Sequence, residues 1–171
     1  MAIYGNGVCV DYTFKITDEL KTTTSQFMCV GQAPDTTTAS DKTVSLCGVG
    51  ASISAATGAS FHCIGIVQSY QSATSEVATV RLFGIGKATC AHSIPAFAYV
   101  MAYHGISTTA MAGKICAIRD AASCTVATTS ITAHCTVLGR SLEAGSTNTV
   151  IEVFINPSMY DFNLVGSLAV T

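Results

Sequence analysis

The sequence predicts an all-β protein, an antiparallel β-barrel or sandwich with possible extended N- and C-terminal arms. Three observations predict it. Ser and Thr stand where charges normally do, as in Thr22-Thr23-Thr24-Ser25 and Thr36-Thr37-Thr38-Ala39-Ser40. Thr is β-branched and suits a half-exposed pleated surface. Short apolar runs recur between polar turns, the pattern of sandwiches and barrels. Finally, two segments repeat one pattern. The first runs Ile64-Gly65-Ile66-Val67, then Ser72-Ala73-Thr74-Ser75, then Glu76-Val77-Ala78-Thr79-Val80-Arg81-Leu82. The second runs Leu138-Gly139-Arg140-Ser141, then Gly145-Ser146-Thr147-Asn148, then Thr149-Val150-Ile151-Glu152-Val153-Phe154-Ile155. They align at an offset of about 74 residues with a one-residue slip, as duplicated β-units do.

Along the chain, residues 1–20 read as an N-terminal arm or first strand. Residues 21–157 read as the β-barrel or sandwich domain, and 158–171 as a C-terminal strand or arm. Within the first segment, Val8-Cys9-Val10-Asp11-Tyr12-Thr13-Phe14-Lys15-Ile16 is a strand by β-branched and aromatic content. Asp18-Glu19-Leu20-Lys21 then makes a compact charged knot. Further strands are expected over 26–30, 42–49, 61–68, 76–85, 97–103, 114–118, 134–138, 149–155 and 163–170. The stretch 76–85 shows the two-residue alternation of a half-buried strand, with Val77, Thr79 and Arg81 against Ala78, Val80 and Leu82. Gln32-Ala33-Pro34-Asp35 and Glu143-Ala144-Gly145-Ser146 read as turns. Gly84-Ile85-Gly86 lacks the third Gly of a dinucleotide site and reads as a strand bend. A helix over 91–103 is the alternative to a strand there, and Pro95 opposes it.

Composition narrows the function. The 171 residues are 49% hydrophobic and only 11% charged, against about a quarter in ordinary domains. So few charges protect a lone subunit poorly against self-association, which points to faces covered by neighbours. Net charge is −2 and the eight Lys and Arg are scattered, so no nucleic-acid footprint is present. The uncharged stretch 43–75 is broken by Ser, Gly, Thr and His, and falls short of the roughly 20 continuous apolar residues of a spanning helix. The N-terminus has no basic region followed by an apolar run, so no export signal is read there.

Eight cysteines lie singly, with no C-x-x-C pair and mostly inside apolar runs such as Val8-Cys9-Val10 and Ile115-Cys116-Ala117. Buried thiols acting as small core residues are the expected state; disulfides and metal binding are the alternatives. His62-Cys63 and His134-Cys135 offer zinc-type ligands, but adjacent residues on a strand point to opposite faces. His92 and His104 read as loop residues. No GxSxG, P-loop or HExxH motif is present, and carboxylates are sparse. The expectation is therefore a protein that is no enzyme, with no catalytic residue, cofactor or metal.

The run Gly65, then Glu76-Val77-Ala78-Thr79-Val80-Arg81-Leu82-Phe83-Gly84-Ile85-Gly86-Lys87-Ala88, resembles a segment of tailed-phage capsid cement, or head decoration, proteins. Gly113-Lys114-Ile115 is similar to the strand that follows it in that family. The closing Val137-Leu138-Gly139-Arg140-Ser141-Leu142-Glu143-Ala144-Gly145 and Val150-Ile151-Glu152-Val153-Phe154-Ile155 resembles the family's final element. The resemblance spans roughly residues 25 to 157; the many cysteines and the segment after Pro157 depart from it.

It implies an all-β subunit on the outer surface of an icosahedral shell in the virion, assembled in the host cytoplasm and often trimeric. Its partners would be the major capsid protein and itself, as a homotrimer, with neither nucleic acid nor membrane. A receptor- or glycan-binding β-domain on a virion or tail is the rival reading. Extended termini add strands to exposed sheet edges on neighbours, so the expected interface residues are Tyr4, Val8, Val10, Tyr12, Phe14, Met159, Tyr160, Phe162, Leu164 and Leu168.

Overall fold

In the computed structural model of the chain, the described residues are 8–32, 42–47, 63–103, 111–118 and 137–158. They form nine strands: β1 (Val10–Ile16), β2 (Cys29–Gln32), β3 (Thr43–Leu46), β4 (Cys63–Val67), β5 (Val77–Thr89), β6 (Tyr99–Ala102), β7 (Ile115–Ala117), β8 (Val137–Ser141) and β9 (Val150–Ser158). Two 3-10 turns, Asp18–Leu20 and Thr23–Ser25, follow β1. The strands hydrogen-bond in the order β1-β3-β2-β4-β5-β9-β8-β6-β7, and a further β1–β5 pairing closes the first five into a barrel. The fold is all-β, with the remaining strands bonded outside that barrel.

Those outer strands repeat the first barrel pair by pair. In β2–β4, Val30 faces Gly65 and Gly31 faces Cys63 across a register shift; in β6–β8, Val100 faces Gly139 and Met101 faces Val137 across the same shift. Val30 faces Leu46 in β2–β3, as Val100 faces Ala117 in β6–β7. Ile66 faces Arg81 in β4–β5, as Arg140 faces Phe154 in β8–β9. The first half of β5 (77–83) pairs with β1 as β9 pairs with the second half of β5 (84–89): Phe14 faces Ala78, and Ala88 faces Ile151. Even the parallel closure recurs. Ile16 faces Val44, and an isolated parallel bridge joins Cys90 to Ile115. Residues 84–158 thus form a second five-stranded unit, and β5 supplies the last strand of one barrel and the first of the next.

The turns carry the same chemistry twice. Ser75 N–H donates to Ser72 O (2.9 Å) and Ser72 N–H to Ser75 Oγ (3.0 Å); Thr149 N–H donates to Ser146 O (3.0 Å) and Ser146 N–H to Thr149 Oγ1 (2.9 Å). Ser69 Oγ accepts the Thr79 N–H, and Glu143 Oε1 accepts the Glu152 N–H, each at 2.8 Å. Side chains that satisfy turn donors in this way fix the register of the strands they join.

Each barrel buries an equivalent core. In the first, Ile16, Leu20, Val30, Val44, Val67, Ala78 and Val80 pack together. Their counterparts in the second are Cys90, Ile94, Val100, Ile115, Ser141, Ile151 and Val153, all buried. Ser141 keeps its place because its hydroxyl donates to Pro95 O (2.8 Å) and accepts the Ala98 N–H (2.9 Å), so the polar group is not orphaned. The second core also takes in Cys29, Cys47, Cys63 and Ile66 from the outer side of the first barrel. Backbone bonds seal this junction: Thr89 N–H to Phe27 O (3.0 Å), Cys29 N–H to Gly113 O, and Gly113 N–H to Cys47 O (2.7 Å).

The expected strands over 8–16, 26–30, 42–49, 61–68, 76–85, 97–103, 114–118, 134–138 and 149–155 each overlap an observed strand, 26–30 and 134–138 by two residues only; 163–170 lies outside the described residues. The 91–103 region holds β6 rather than a helix. The bend expected at Gly84 is present: Gly84 has φ +100°, and a Cβ there would stand 2.8 Å from Cys9 Sγ and Val8 O. The N-terminal segment begins the barrel, because β1 pairs with both β5 and β3.

Candidate interaction surface

The two barrels differ on their outer sides. In the first, cross-strand neighbours Cys29, Ile66, Arg81 and Asp11 form one row over β2, β4, β5 and β1. Cys29 and Ile66 are fully buried because the second barrel packs on them. The same row in the second barrel is Tyr99, Arg140, Phe154 and Ile85, over β6, β8, β9 and β5. Here Tyr99 is 60% exposed, Ile85 43% and Phe154 37%, and Arg140 is also exposed. A position that is core in one barrel is surface in the other.

Local geometry pre-orders this surface. The Arg140 guanidinium lies 5.3 Å from the Tyr99 ring centre, and Arg140 Nε donates to Phe97 O at 2.7 Å. Phe97 sits at φ +60°, as its counterpart Phe27 sits at +66°. Phe27 is half-buried, whereas the Phe97 ring is 61% exposed. Phe83 meets Phe154 edge-on at 5.5 Å and faces Val10 across β1. The apolar surface therefore runs from β9 over β5 to β1. Exposed aromatic and Arg side chains held in fixed rotamers are the residue types that anchor protein interfaces.

The expected interface residues fall partly here. Val8 (75% exposed), Val10 and Tyr12 project from the first strand, and Phe14 is half-buried against the first core. Lys42 Nζ donates to the Tyr12 hydroxyl (3.2 Å). Tyr4, Met159, Tyr160, Phe162, Leu164 and Leu168 lie outside the described residues. The row Tyr99–Arg140–Phe154–Ile85 was not anticipated. Its signal stood in the aligned repeats, where Ile66 and Val67 correspond to Arg140 and Ser141. An apolar residue opposite a charged one in duplicated strands marks a face buried in one copy and wet in the other.

The thiols are placed for packing. Cys9, Cys29, Cys47, Cys63, Cys90 and Cys116 are thiols rather than disulfide halves, and all but Cys9 are buried. A hydrogen bond with Cys63, followed by burial, pushes the Cys29 and Cys47 thiols well above their ordinary range. Burial raises Cys90, an effect that a hydrogen bond with Thr149 opposes. Activated nucleophilic cysteines show the opposite shift. Among the described residues no group of three His, Cys, Asp or Glu is placed to hold a metal ion. His62, His134 and Cys135 lie outside the described residues.

A shallow cleft between Ser93-Ile94-Pro95 and the 143–151 turn contains one carboxylate, Glu143. That carboxylate already accepts the Glu152 N–H. No helix among the described residues is long and apolar enough to cross a membrane. No protein-family profile, no curated protein and no solved structure matches this chain.

Proposed function

We propose that this chain is a structural protein of the virion, a cement or decoration subunit that binds the outer surface of the major capsid shell and stabilises it. The observation carrying the reading is the exposed, pre-ordered row Tyr99–Arg140–Phe154–Ile85 on a barrel whose twin buries two residues of the same row, Cys29 and Ile66. The resemblance in β5 and in β8–β9 to capsid cement proteins gives that surface its target. A subunit that bridges capsomers adds buried area that must be lost before the shell opens. At about 25 cal/mol per Å², interfaces of modest size sum to a large stabilisation when repeated over a shell. A hydrogen bond with Cys63 and burial push the Cys29 and Cys47 thiols up, as burial does Cys90, which makes these three poor nucleophiles.

The test is co-sedimentation of the purified protein with undecorated heads. Wild type is expected to pellet, and the double variant Tyr99→Ala with Arg140→Glu to bind at least tenfold more weakly. Protein that stays in the supernatant with heads in every expansion state sinks the proposal. A glycan receptor is the second reading, because Phe97 and Tyr99 are exposed rings of the kind sugars stack on. Arg140 already lies against the Tyr99 ring, which counts against it. Glycan-array binding without head binding would establish it instead.

A further inference from the structure

Three of the buried thiols share one place in the fold. β2 and β3 pair Val30 with Leu46, so the adjoining Cys29 and Cys47 stand opposite each other at the end of the pairing. The Cys47 N–H donates to Cys29 O at 3.0 Å. β4 lies on the other edge of β2, with Cys63 facing Gly31. Gly31 has no side chain to hold the Cys63 thiol away from its neighbours, and that thiol hydrogen-bonds with both Cys29 and Cys47. All three are buried in the apolar core beneath the second barrel.

Packing does not call for sulfur here. The same three positions of the second barrel hold Tyr99, Ile118 and Val137. Among the described residues no three such groups are placed to hold a metal ion, so the chemistry open to the cluster runs between its sulfurs. Cross-strand neighbours have Cβ atoms about 4.5–5.5 Å apart, and a disulfide needs about 3.5–4.5 Å, so a small shift suffices.

We propose that Cys63 is a site of reversible two-electron oxidation, which joins it to Cys29 or Cys47 and staples β4 to the β2–β3 pair. The oxidant is hydrogen peroxide. The Cys63 thiolate attacks its O–O bond, giving a sulfenic acid and releasing the second oxygen as hydroxide. The thiolate of Cys29 or Cys47 then displaces hydroxide from that sulfur. With both hydroxides protonated, two thiols and one hydrogen peroxide become one disulfide and two waters. The third sulfur stays a thiol beside the bond and can exchange into it.

The hydrogen bond with Cys63 and burial hold Cys29 and Cys47 above the ordinary thiol range, so little of either is thiolate at neutral pH and coupling is slow. Thiols persist in a reducing compartment and couple in an oxidising one. The staple therefore records passage from one to the other, and it braces the first barrel whatever surface the protein binds.

The experiment treats the full folded chain with hydrogen peroxide, blocks the remaining thiols and maps disulfides by mass spectrometry, with a urea-unfolded sample beside it. A monomer lighter by two hydrogens is expected, with Cys63 joined to Cys29 or Cys47, against mixed pairings in urea. The oxidised chain should melt roughly 5–10 °C higher, a gain that a reductant removes. Cys63→Ala should abolish the bond, and Cys90→Ala should leave it. A folded wild type that keeps its full mass, a bond that omits Cys63, or a melting temperature unchanged or lowered by oxidation would each overturn the proposal. Should Cys63→Ala fail to fold, the disulfide map of the wild type still decides.

Discussion

The first and second barrels share strand order, register and turn chemistry, yet one shows its neighbour what the other shows to solvent. In the first, the row Cys29–Ile66 is sealed under the second barrel; in the second, Tyr99–Arg140 is exposed. Backbone geometry is thus set by the barrel's internal demands, and outer residues by what lies against them. Duplication supplies two near-identical scaffolds, and divergence on one face turns a packing surface into an exposed one.

The most severe way to break the comparison is to exchange the rows. Ile66→Arg places a charge in the shared core without a partner, at a cost of several kcal/mol, and denaturant titration should show the variant unfolded or nearly so. The reciprocal Arg140→Ile should shift stability by no more than about 0.5 kcal/mol. Comparable losses from the two would mean that the faces are equivalent after all. Next come the matched core residues. Leu20→Ala and Ile94→Ala should each cost about 2–5 kcal/mol by the same titration. A near-neutral Leu20→Ala would mean that the first barrel is not independently packed.

The paired glycines test the register more finely. A Cβ at Gly65 would run into the Arg81 carbonyl, and one at Gly139 into the Phe154 carbonyl. Each Gly→Ala change should therefore cost about 1–3 kcal/mol, in similar measure, with thermal melting as the readout. Unequal losses would show that one hairpin yields where the other does not.

The smallest effect is the ion pair between Arg81 and Asp11, whose counterparts in the second barrel are Phe154 and Ile85. Arg81 donates to both Asp11 oxygens, at 2.7 and 2.8 Å, and holds that carboxyl below the ordinary carboxylate range. The pair is partly exposed, so Asp11→Asn should cost less than about 1 kcal/mol. Because the folded pKa is the lower one, the contribution is full above the unfolded value of about 3.9 and fades as pH falls through the folded value. Wild type and Asp11→Asn should thus converge in melting temperature in acid. A difference that persists there would assign the effect to something other than charge.

Much of this was legible in the residues. β-branched alternation located the strands, and the hairpin repeat of 64–82 and 138–155 was visible because turns need particular small residues at particular places. The wider repeat was not. β1 and its twin share no residue at any aligned position over Tyr12–Ile16 and Gly86–Cys90, since a strand's pairing is made by backbone atoms that any sequence supplies. The second barrel's exposed row stayed hidden for a related reason. Alternation says which residues share a face, not whether another barrel covers it.

β5 runs 13 residues, about 43 Å along its path at 3.3 Å per residue, with its bend at Gly84 where the two barrels meet. Its two halves are each hydrogen-bonded into a different closed structure, so it acts as a beam rather than a hinge. The distance and angle between the exposed β1 face and the Tyr99 face are consequently dictated by sheet geometry. A spacer of that kind sets the separation of the two faces by backbone geometry, whatever each of them touches.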